Sequence, residues 1–516
     1  WYAAWYTANS PEKHTKAVWN AAPKGEAAEW RLTIAEKKRI LLNSFYGVDI
    51  DAQAVEVTKL SLMLKALEGE STQTLAAQRP LYKERLLPDL RDNIKCGNAL
   101  IGTDFYSGKQ FSAFDEEVRL KINAFDWDVE FASVMNRGGF DAVVGNPPYG
   151  GELSSFERTY LERKYAIGST DTAALFMVKQ LILLKKNGYG SFIVPKPFIY
   201  ASNWKKTRTA LLDKITEIVD CSKVWKTVKL EQVMYFVRKD IFTDNYTSCL
   251  RADKKIENVG TINKQLCEKF GFILGGVTTQ EISVAEKLFE QQTFLGDYVN
   301  NQRGAMLQKL VRNKITDYLV WGGQQISRYD TPQSTKGHIS ATKINDEKAF
   351  VKPRSILVQN IVAHIQNPTD HIKIIATIVE EPSAIILDTV NQLENISQYD
   401  SRFLLGILNS KLINWYVYRF IFAKAIRTMH FDAPITNRIP IPQLDLAHKQ
   451  DGSAHKNLVQ LVSEMLALHK EQTATESAEA RTHLERQIAG TDKRIDALVY
   501  ALYGLTAEEI AVVEGQ

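Results

Sequence analysis

The chain has 516 residues, 64 Lys and Arg against 60 Asp and Glu, and a formal net charge of +4. That length allows about two to four domains, and so small an excess excludes a protein held to nucleic acid by global basicity. Cys96, Cys221, Cys249 and Cys267 show neither Cys-x-x-Cys spacing nor neighbouring histidines, and no apolar run reaches membrane-spanning length; reduced thiols, no metal, no membrane partner and a cytoplasmic location are the expectations.

In chain order, Ile34 to Asn43 reads as a charged amphipathic helix and Phe45 to Asp49 as a strand. Gln53 to Glu68 places Ala54, Val57, Leu60, Leu64 and Leu67 near helical spacing. After a polar connection over 70–92, Asn93 to Cys96 is a short strand ending at Gly97-Asn98. Residues 103–138 have no clear period and read as an insertion. Phe140 to Gly145 is a β-branched run ending in Gly, expected as a buried strand that turns into Asn146-Pro147-Pro148-Tyr149. Thr172 to Lys186 reads as a helix stopped by Asn187-Gly188. Gly190 to Pro195 is a strand, Trp204 to Leu212 a helix, and Thr216 to Asp220 and Gln232 to Val237 are strands. This alternation predicts an α/β architecture with a largely parallel sheet and helices on both faces, a late strand pair running antiparallel.

From about residue 270, short β-like segments dominate: Tyr318 to Trp321, Ser355 to Gln359, Ile372 to Val379 and Ala384 to Leu387, with a helix around Arg402 to Phe422. Ile439-Pro440-Ile441-Pro442 is an extended exit. Two helices follow. The first carries Leu458, Leu461, Val462, Met465 and Leu468, and the second Leu484, Ile488, Ile495, Leu498 and Leu502, with a turn at 473–477. Residues 295–443 hold about 17 Lys and Arg against about 12 Asp and Glu, an excess that permits DNA binding and equally suits an ordinary surface.

Asn146-Pro147-Pro148-Tyr149 carries the most chemistry. It sits at the carboxyl end of a strand, where open α/β sheets place their ligands. Two prolines fix φ and remove two backbone donors. The carbonyls, the Asn146 amide oxygen and the flat Tyr149 ring offer acceptors and a π-face, which suits an exocyclic amine on a planar base. A plain Pro-rich turn is the competing reading. Asp49, in Gly47-Val48-Asp49-Ile50-Asp51, ends a strand where a carboxylate can accept both hydroxyls of a ribose. Asp51 reads as a helix N-cap in preference to a cofactor contact. Asn98 can accept from an adenine amino group or donate to a ring nitrogen, and equally suits a turn after Gly97. Trp225 is an aromatic candidate for stacking, and packing in the core suits it as well.

The tetrapeptide resembles the catalytic motif of N6-adenine DNA methyltransferases of the NPPY class. The resemblance implies that Asn146 and the Pro147 carbonyl accept the hydrogens of a flipped adenine amine, with Pro148 beside them. It implies that Tyr149 stacks on the base and Trp225 covers its other face. It also implies S-adenosylmethionine as the methyl donor, with Asp49 on its ribose, Asn98 at its adenine and Ile50 as a further cofactor-binding residue. The whole chain looks like part of a Type IIG restriction–modification enzyme. Residues 1–270 resemble a Rossmann-like S-adenosylmethionine-dependent methyltransferase core with its first strand missing. Residues 271–443 resemble a TaqI-like α+β target recognition domain, and 444–516 the C-terminal helical pair of such proteins. Double-stranded DNA is the implied partner, with Arg303, Arg328 and Arg427 as candidate contacts. The expected enzyme is a site-specific adenine DNA methyltransferase.

One part of the family pattern is absent: no Asp-Pro-x-x-Gly-x-Gly-x-Phe loop occurs in residues 1–45, and the chain starts at Trp1. The expectation is that this loop lies upstream, on a segment that in Type IIG proteins follows an endonuclease domain, and that this chain alone binds the cofactor weakly. Micromolar binding by calorimetric titration would contradict it. No nuclease motif is legible within the chain. A non-catalytic DNA-specificity module, and a methyltransferase acting on RNA, cytosine N4 or a protein Gln, remain the alternatives.

Overall fold

The computed structural model describes residues 1–22, 25–70, 88–107, 116–167, 171–222, 231–252, 255–365, 370–379, 384–425 and 429–515. They form a mixed α/β structure in two compact units, Trp1–Asp141 with Gly150–Lys186, and Ala142–Tyr149 with Asn187–Gln516. Among the described residues no helix is long and apolar enough to cross a membrane.

In the first unit, β1 (Val18–Asn20) and β2 (Trp30–Leu32) pair antiparallel. The helix Ile34–Ser44 starts where the Thr33 side chain accepts from the Glu36 amide, a standard N-cap. β3 (Gly47–Asp49) and β4 (Ile94–Cys96) pair parallel, with Asp49 opposite Cys96. Between them the helix Ala52–Leu67 is capped by Asp51, whose carboxylate accepts from the Gln53 amide at 2.8 Å. That helix buries Val55 and Ala66, with Leu62 and Met63 partly buried, against Leu41, Leu90 and Ile94. The stripe expected from the sequence faces the other way: Val57, Leu60 and Leu64 are all more than half exposed. The helix is apolar on two faces, so periodicity alone could not choose between them. The expected insertion over 103–138 contains short helices, and Phe125, Phe131 and Val134 from it form a core with Tyr46, Val48 and Phe140.

β5 (Phe140–Gly145) and β6 (Leu184–Pro195) each begin in the first unit and end in the second. β6 is longer than expected. The helix Thr172–Leu183 ends three residues before Lys186, and Asn187-Gly188 lies inside the strand. Asn187 takes φ 62° there, its N–H donating to Lys239 O while Lys239 N–H donates to Gly188 O. The dipeptide that reads as a helix stop is thus a kink in a strand.

The remaining strands of the large sheet are β7 (Ile215–Ser222), β8 (Gln232–Arg238), β9 (Asn245–Ala252) and β10 (Lys255–Asn263), in the order β10-β9-β7-β8-β6-β5. The expected largely parallel sheet is not found. β10–β9, β7–β8 and β6–β8 are antiparallel and β7–β9 is parallel. The cause is connection length. The nine residues 223–231 between β7 and β8, and the two between β9 and β10, are too few for the crossover a parallel neighbour needs, about a dozen residues or more. The late antiparallel pair, β7 with β8, is as expected. β5 lies at the end of the strand order and is not buried, since Val144 is 79% exposed.

Further along, β11 (Val299–Arg303), β12 (Tyr318–Trp321), β13 (Gly337–Ile339), β14 (Ser355–Gln359), β15 (Ala363–Ile365), β16 (His371–Lys373), β17 (Ala376–Ile378), β18 (Ala384–Ile386) and β19 (Val390–Asn395) make small sheets, ordered β11-β19-β14-β17, β13-β12-β18 and β15-β16. The helix expected over 402–422 is broken. Ser401–Asn409 ends at Ser410, whose side chain caps Lys411–Tyr416, and a wider turn, Val417–Ile421, follows. The terminal helices Lys449–Ala474 and Ala478–Leu502 bury Leu458, Leu461, Val462, Met465, Leu484 and Ile495 as expected, and a third helix spans Ala507–Glu514.

The second of these helices carries a buried carboxyl, Asp496, which accepts from the Lys411 amide at 2.8 Å. Burial pushes its pKa from 3.8 up to about 6. The folded state therefore holds the proton more tightly than the unfolded chain. The contribution to stability is present at low pH, declines as pH rises from about 4 to about 6, and stays lost above. Asp496→Asn should raise stability at pH 7.5 by up to roughly 3 kcal/mol, at 1.36 kcal/mol per pH unit, and leave it unchanged at pH 3.5. Urea melts at the two pH values check this, and an equal effect at both would contradict it.

Candidate functional site

The turn after β5 is built with few backbone donors. Pro147 and Pro148 supply no N–H, and Gly150 takes φ +68°. Pro147 is buried, while Asn146 and Pro148 are exposed and Tyr149 is half-buried. The Tyr149 hydroxyl lies 3.1 Å from Asn146 Oδ1 and 3.2 Å from Ile193 O on β6. It has one proton for two acceptors, so the hydroxyl shares a single hydrogen bond between the Asn146 side chain and the strand. An amide oxygen has two lone pairs. The one not facing Tyr149 remains able to accept from an amine. A Cβ at Gly145 would lie 3.0 Å from the Phe192 ring, so a larger residue there would need that ring to shift by a few tenths of an ångström.

Three residues beyond Ile193, β6 ends on a feature that sequence reasoning missed. Lys196 is 1% exposed, 2.8 Å from Asp220 and 3.5 Å from Glu231, and its N–H donates to Glu231 O. Its Nζ also donates to Lys424 O at 3.3 Å. The two carboxylates outweigh burial and hold the ammonium above its ordinary pKa. Lys424 donates to Gly276 O and faces Glu281, which Arg419 contacts at 2.6 Å. Buried charges persist only when matched in this way. The only hint in the sequence was a lysine between two prolines, Pro195 and Pro197.

The candidate cofactor residues lie in the first unit. Asp49 Oδ1 accepts from the Asp51 amide at 2.9 Å, and its second oxygen has no partner among the described residues. Ile50 is 55% exposed, and its carbonyl accepts from the Cys96 thiol. Asn98 Oδ1 accepts from the Leu100 and Ile101 amides at 3.1 and 3.2 Å. Its oxygen is therefore engaged in a local turn, and its amide N–H groups are the part left to meet a ligand. Trp127 Nε1 and the Tyr165 hydroxyl donate to the carbonyls of Ala99 and Leu100, which fixes the loop. A cavity of about 560 Å³ nearby is lined by Ala52, Val55, Lys59, Ile94, Cys96 and Phe125, without Asp49 or Asn98.

The basic candidates divide. Arg328 is committed within the protein. Its guanidinium meets both Asp492 oxygens at 2.5 and 3.0 Å and donates to Asn409 O, and its side chain is 15% exposed. Arg303 is 43% exposed, with Nε on Asp388 O. Trp225 and Arg427 lie outside the described residues.

Tyr149→Phe removes the hydroxyl from both acceptors. It should lower unfolding free energy by about 1 kcal/mol, the usual worth of one such bond, without changing the fold. Denaturant melts and circular dichroism measure this. A loss of roughly 3 kcal/mol or more would mean that the hydroxyl holds more than this turn.

The chain is similar to known proteins in sequence and in fold. Residues 43–225 match the model of the family described as Eco57I restriction-modification methylase. Over 189 residues the chain is 34% identical to the Type II restriction enzyme and methyltransferase RM.Eco57I of Escherichia coli, covering 35% of this chain and 17% of that protein. It is 23% identical over 614 aligned positions to the putative type II restriction enzyme and methyltransferase RM.MjaORFECS2P of Methanocaldococcus jannaschii, covering 91% of this chain and 49% of that protein. The chain thus spans half or less of the curated relatives it matches. Among solved structures, the Type IIL restriction-modification enzyme MmeI in complex with DNA shares the fold over 93% of this chain and 73% of its own, with a TM-score of 0.53 and 12% identity. The chain resembles the methylases of Type II restriction–modification systems, and the residues matched by the family model include Asp49 and the Asn146 turn.

Proposed function

We propose that this chain carries the base-handling part of a site-specific DNA adenine-N6 methyltransferase of a restriction–modification system. The observation that carries the reading is the Asn146-Pro147-Pro148-Tyr149 turn, with Asn146 Oδ1 held by the Tyr149 hydroxyl at 3.1 Å and one lone pair left to accept. In this reading a flipped adenine enters beside Asn146. Asn146 Oδ1 and the Pro147 carbonyl accept the two amine hydrogens, which draws the nitrogen lone pair out of conjugation with the ring. Tyr149, fixed through Ile193, gives the base a ring to stack on. Residues 1–270 form the catalytic core, 271–443 the TaqI-like recognition domain and 444–516 the helical tail, and an endonuclease segment belongs to the same gene product.

S-adenosylmethionine, when bound, supplies a methyl group on a sulfonium. The residues present suit it in part. The Asp49 oxygen that Asp51 leaves can accept from ribose hydroxyls, Ile50 offers an exposed apolar face, and the Asn98 amide can donate to a ring nitrogen.

The test is transfer of tritiated methyl groups to unmethylated genomic DNA, RNA and protein, by the parent and by Asn146→Ala, at S-adenosylmethionine concentrations shown by titration to saturate both. DNA alone should be labelled. Asn146→Ala should lose at least 100-fold of the rate, the order expected for removing a group that meets developing charge, and should still bind DNA. Retained labelling by Asn146→Ala would defeat the assignment, and labelling of RNA or protein by the parent would move the substrate class.

A further inference from the structure

The most exposed large apolar side chain among the described residues is Met306, at 85%. It does not stand on a frayed end. Its neighbours Ala305 and Leu307 are 1% and 6% exposed and belong to a core with Val320, Ile339, Ile385 and Leu387. The backbone around it is hydrogen-bonded. Gly304 N–H donates to Val390 O, Ala305 N–H to Ile386 O, and Asp388 N–H to Ala305 O, at 2.9 to 3.2 Å. At Gly304 a Cβ would run into the Leu387 carbonyl. Met306 is therefore an apolar point on a rigid turn, held out in water by a packed base.

Its surroundings are cationic. Between Asp297 and Asp317 the chain holds Arg303, Lys309, Arg312 and Lys314 and no carboxylate. All four are exposed, as is Ile315 at 80%. Arg312 donates to the carbonyls of Lys309 and Val311. Among the described residues, Lys309, Arg312 and Lys314 meet no carboxylate. Hydrogen bonds knit one face together, with Arg303 Nε on Asp388 O, Gln308 Nε2 on Asp388 Oδ1 and Lys336 Nζ on Gln308 Oε1. The contrast with Lys196 and Arg328, whose charges are matched inside the protein, is direct.

An exposed apolar side chain in a segment that carries three exposed cations without a carboxylate partner fits a partner whose surface is anionic and whose interior is apolar. Duplex DNA has this form, with phosphates flanking a stack of bases, and apolar side chains that enter base steps from the minor groove bend the duplex. We propose that the segment Arg303–Ile315 is a DNA-docking face, in which Lys309, Arg312 and Lys314 lie on phosphates and Met306 enters a base step. This rests on the reading of duplex DNA as the substrate, and does not depend on methyl transfer.

The test uses the full chain and a 30-base-pair mixed-sequence duplex with a donor and an acceptor dye at its ends. Each neutralised phosphate steepens the fall of log K with log salt by about 0.9. The triple variant Lys309→Ala/Arg312→Ala/Lys314→Ala should therefore flatten the slope by about 2 to 3. Met306→Ala should leave the slope unchanged, weaken binding roughly 5- to 20-fold, and abolish the shortening of end-to-end distance that the parent produces. Met306→Leu should restore both. All these side chains are exposed, so the variants should melt with the parent. An unchanged slope in the triple variant, or unchanged bending in Met306→Ala, would overturn the proposal, as would equal binding to double-stranded RNA or to phosphatidylserine vesicles. A chain that bends DNA through Met306 and transfers no methyl group defeats the methyltransferase reading alone. One that methylates DNA with unaltered slope and bend defeats this proposal alone.

Discussion

The proposed site depends on a single phenol proton. Tyr149 faces two acceptors, Asn146 Oδ1 and Ile193 O, at nearly equal distance. Pro147 and Pro148 cannot donate, so the turn has two fewer backbone donors to fix it. The Tyr149 side chain, itself part of the turn, ties it to the neighbouring strand β6. The position of the Asn146 oxygen is therefore set by β6, whose end is set in turn by Lys196 between Asp220 and Glu231. Proline donor loss, the tyrosine bond and the buried lysine form one chain of cause. A group meant to meet an amine needs that order, since an acceptor that wanders gives little to a transition state.

Charge is handled in two ways across the second unit. Lys196, Arg328 and Arg419 each meet a carboxylate in a partly or fully dry setting. Removing one member of such a pair leaves an uncompensated charge, so pairs of this kind fix one arrangement more than they add stability. Lys309, Arg312 and Lys314 are exposed and meet no such partner among the described residues. The division separates cations that hold the protein together from cations able to act on something else. It could not be drawn from the sequence, where Arg328 and Arg312 look alike.

Local signals were legible where a residue type has one physical use. Asp51 before a helix is an N-cap, and the structure shows it accepting from Gln53. The terminal helices bury Leu458, Leu461 and Leu484 of the leucines that their spacing singles out, and leave Leu468, Leu498 and Leu502 half-buried. Asn146-Pro147-Pro148-Tyr149 stands at the end of a strand, as its β-branched approach suggests. What failed was long-range or two-valued. Asn187-Gly188 stops helices and also kinks strands, and the pairing with Lys239 decided for the strand. The helix Ala52–Leu67 has apolar residues on two sides, and packing chose Val55 and Ala66. Strand direction followed connection length, which the alternation of elements did not weigh. Lys196 was invisible because its partners Asp220 and Glu231 are distant in sequence.

The measurement that bears most directly on the central claim is the identity of the modified nucleoside. DNA incubated with the parent chain and labelled S-adenosylmethionine, or recovered from cells producing it, is digested to nucleosides and resolved by mass spectrometry. The expected result is label in N6-methyladenine alone, absent with Asn146→Ala. Label in N4-methylcytosine would contradict the assignment of the acceptor amine. No label in any nucleoside, with the cofactor demonstrably bound, would contradict the reading of the Asn146 turn as a catalytic one.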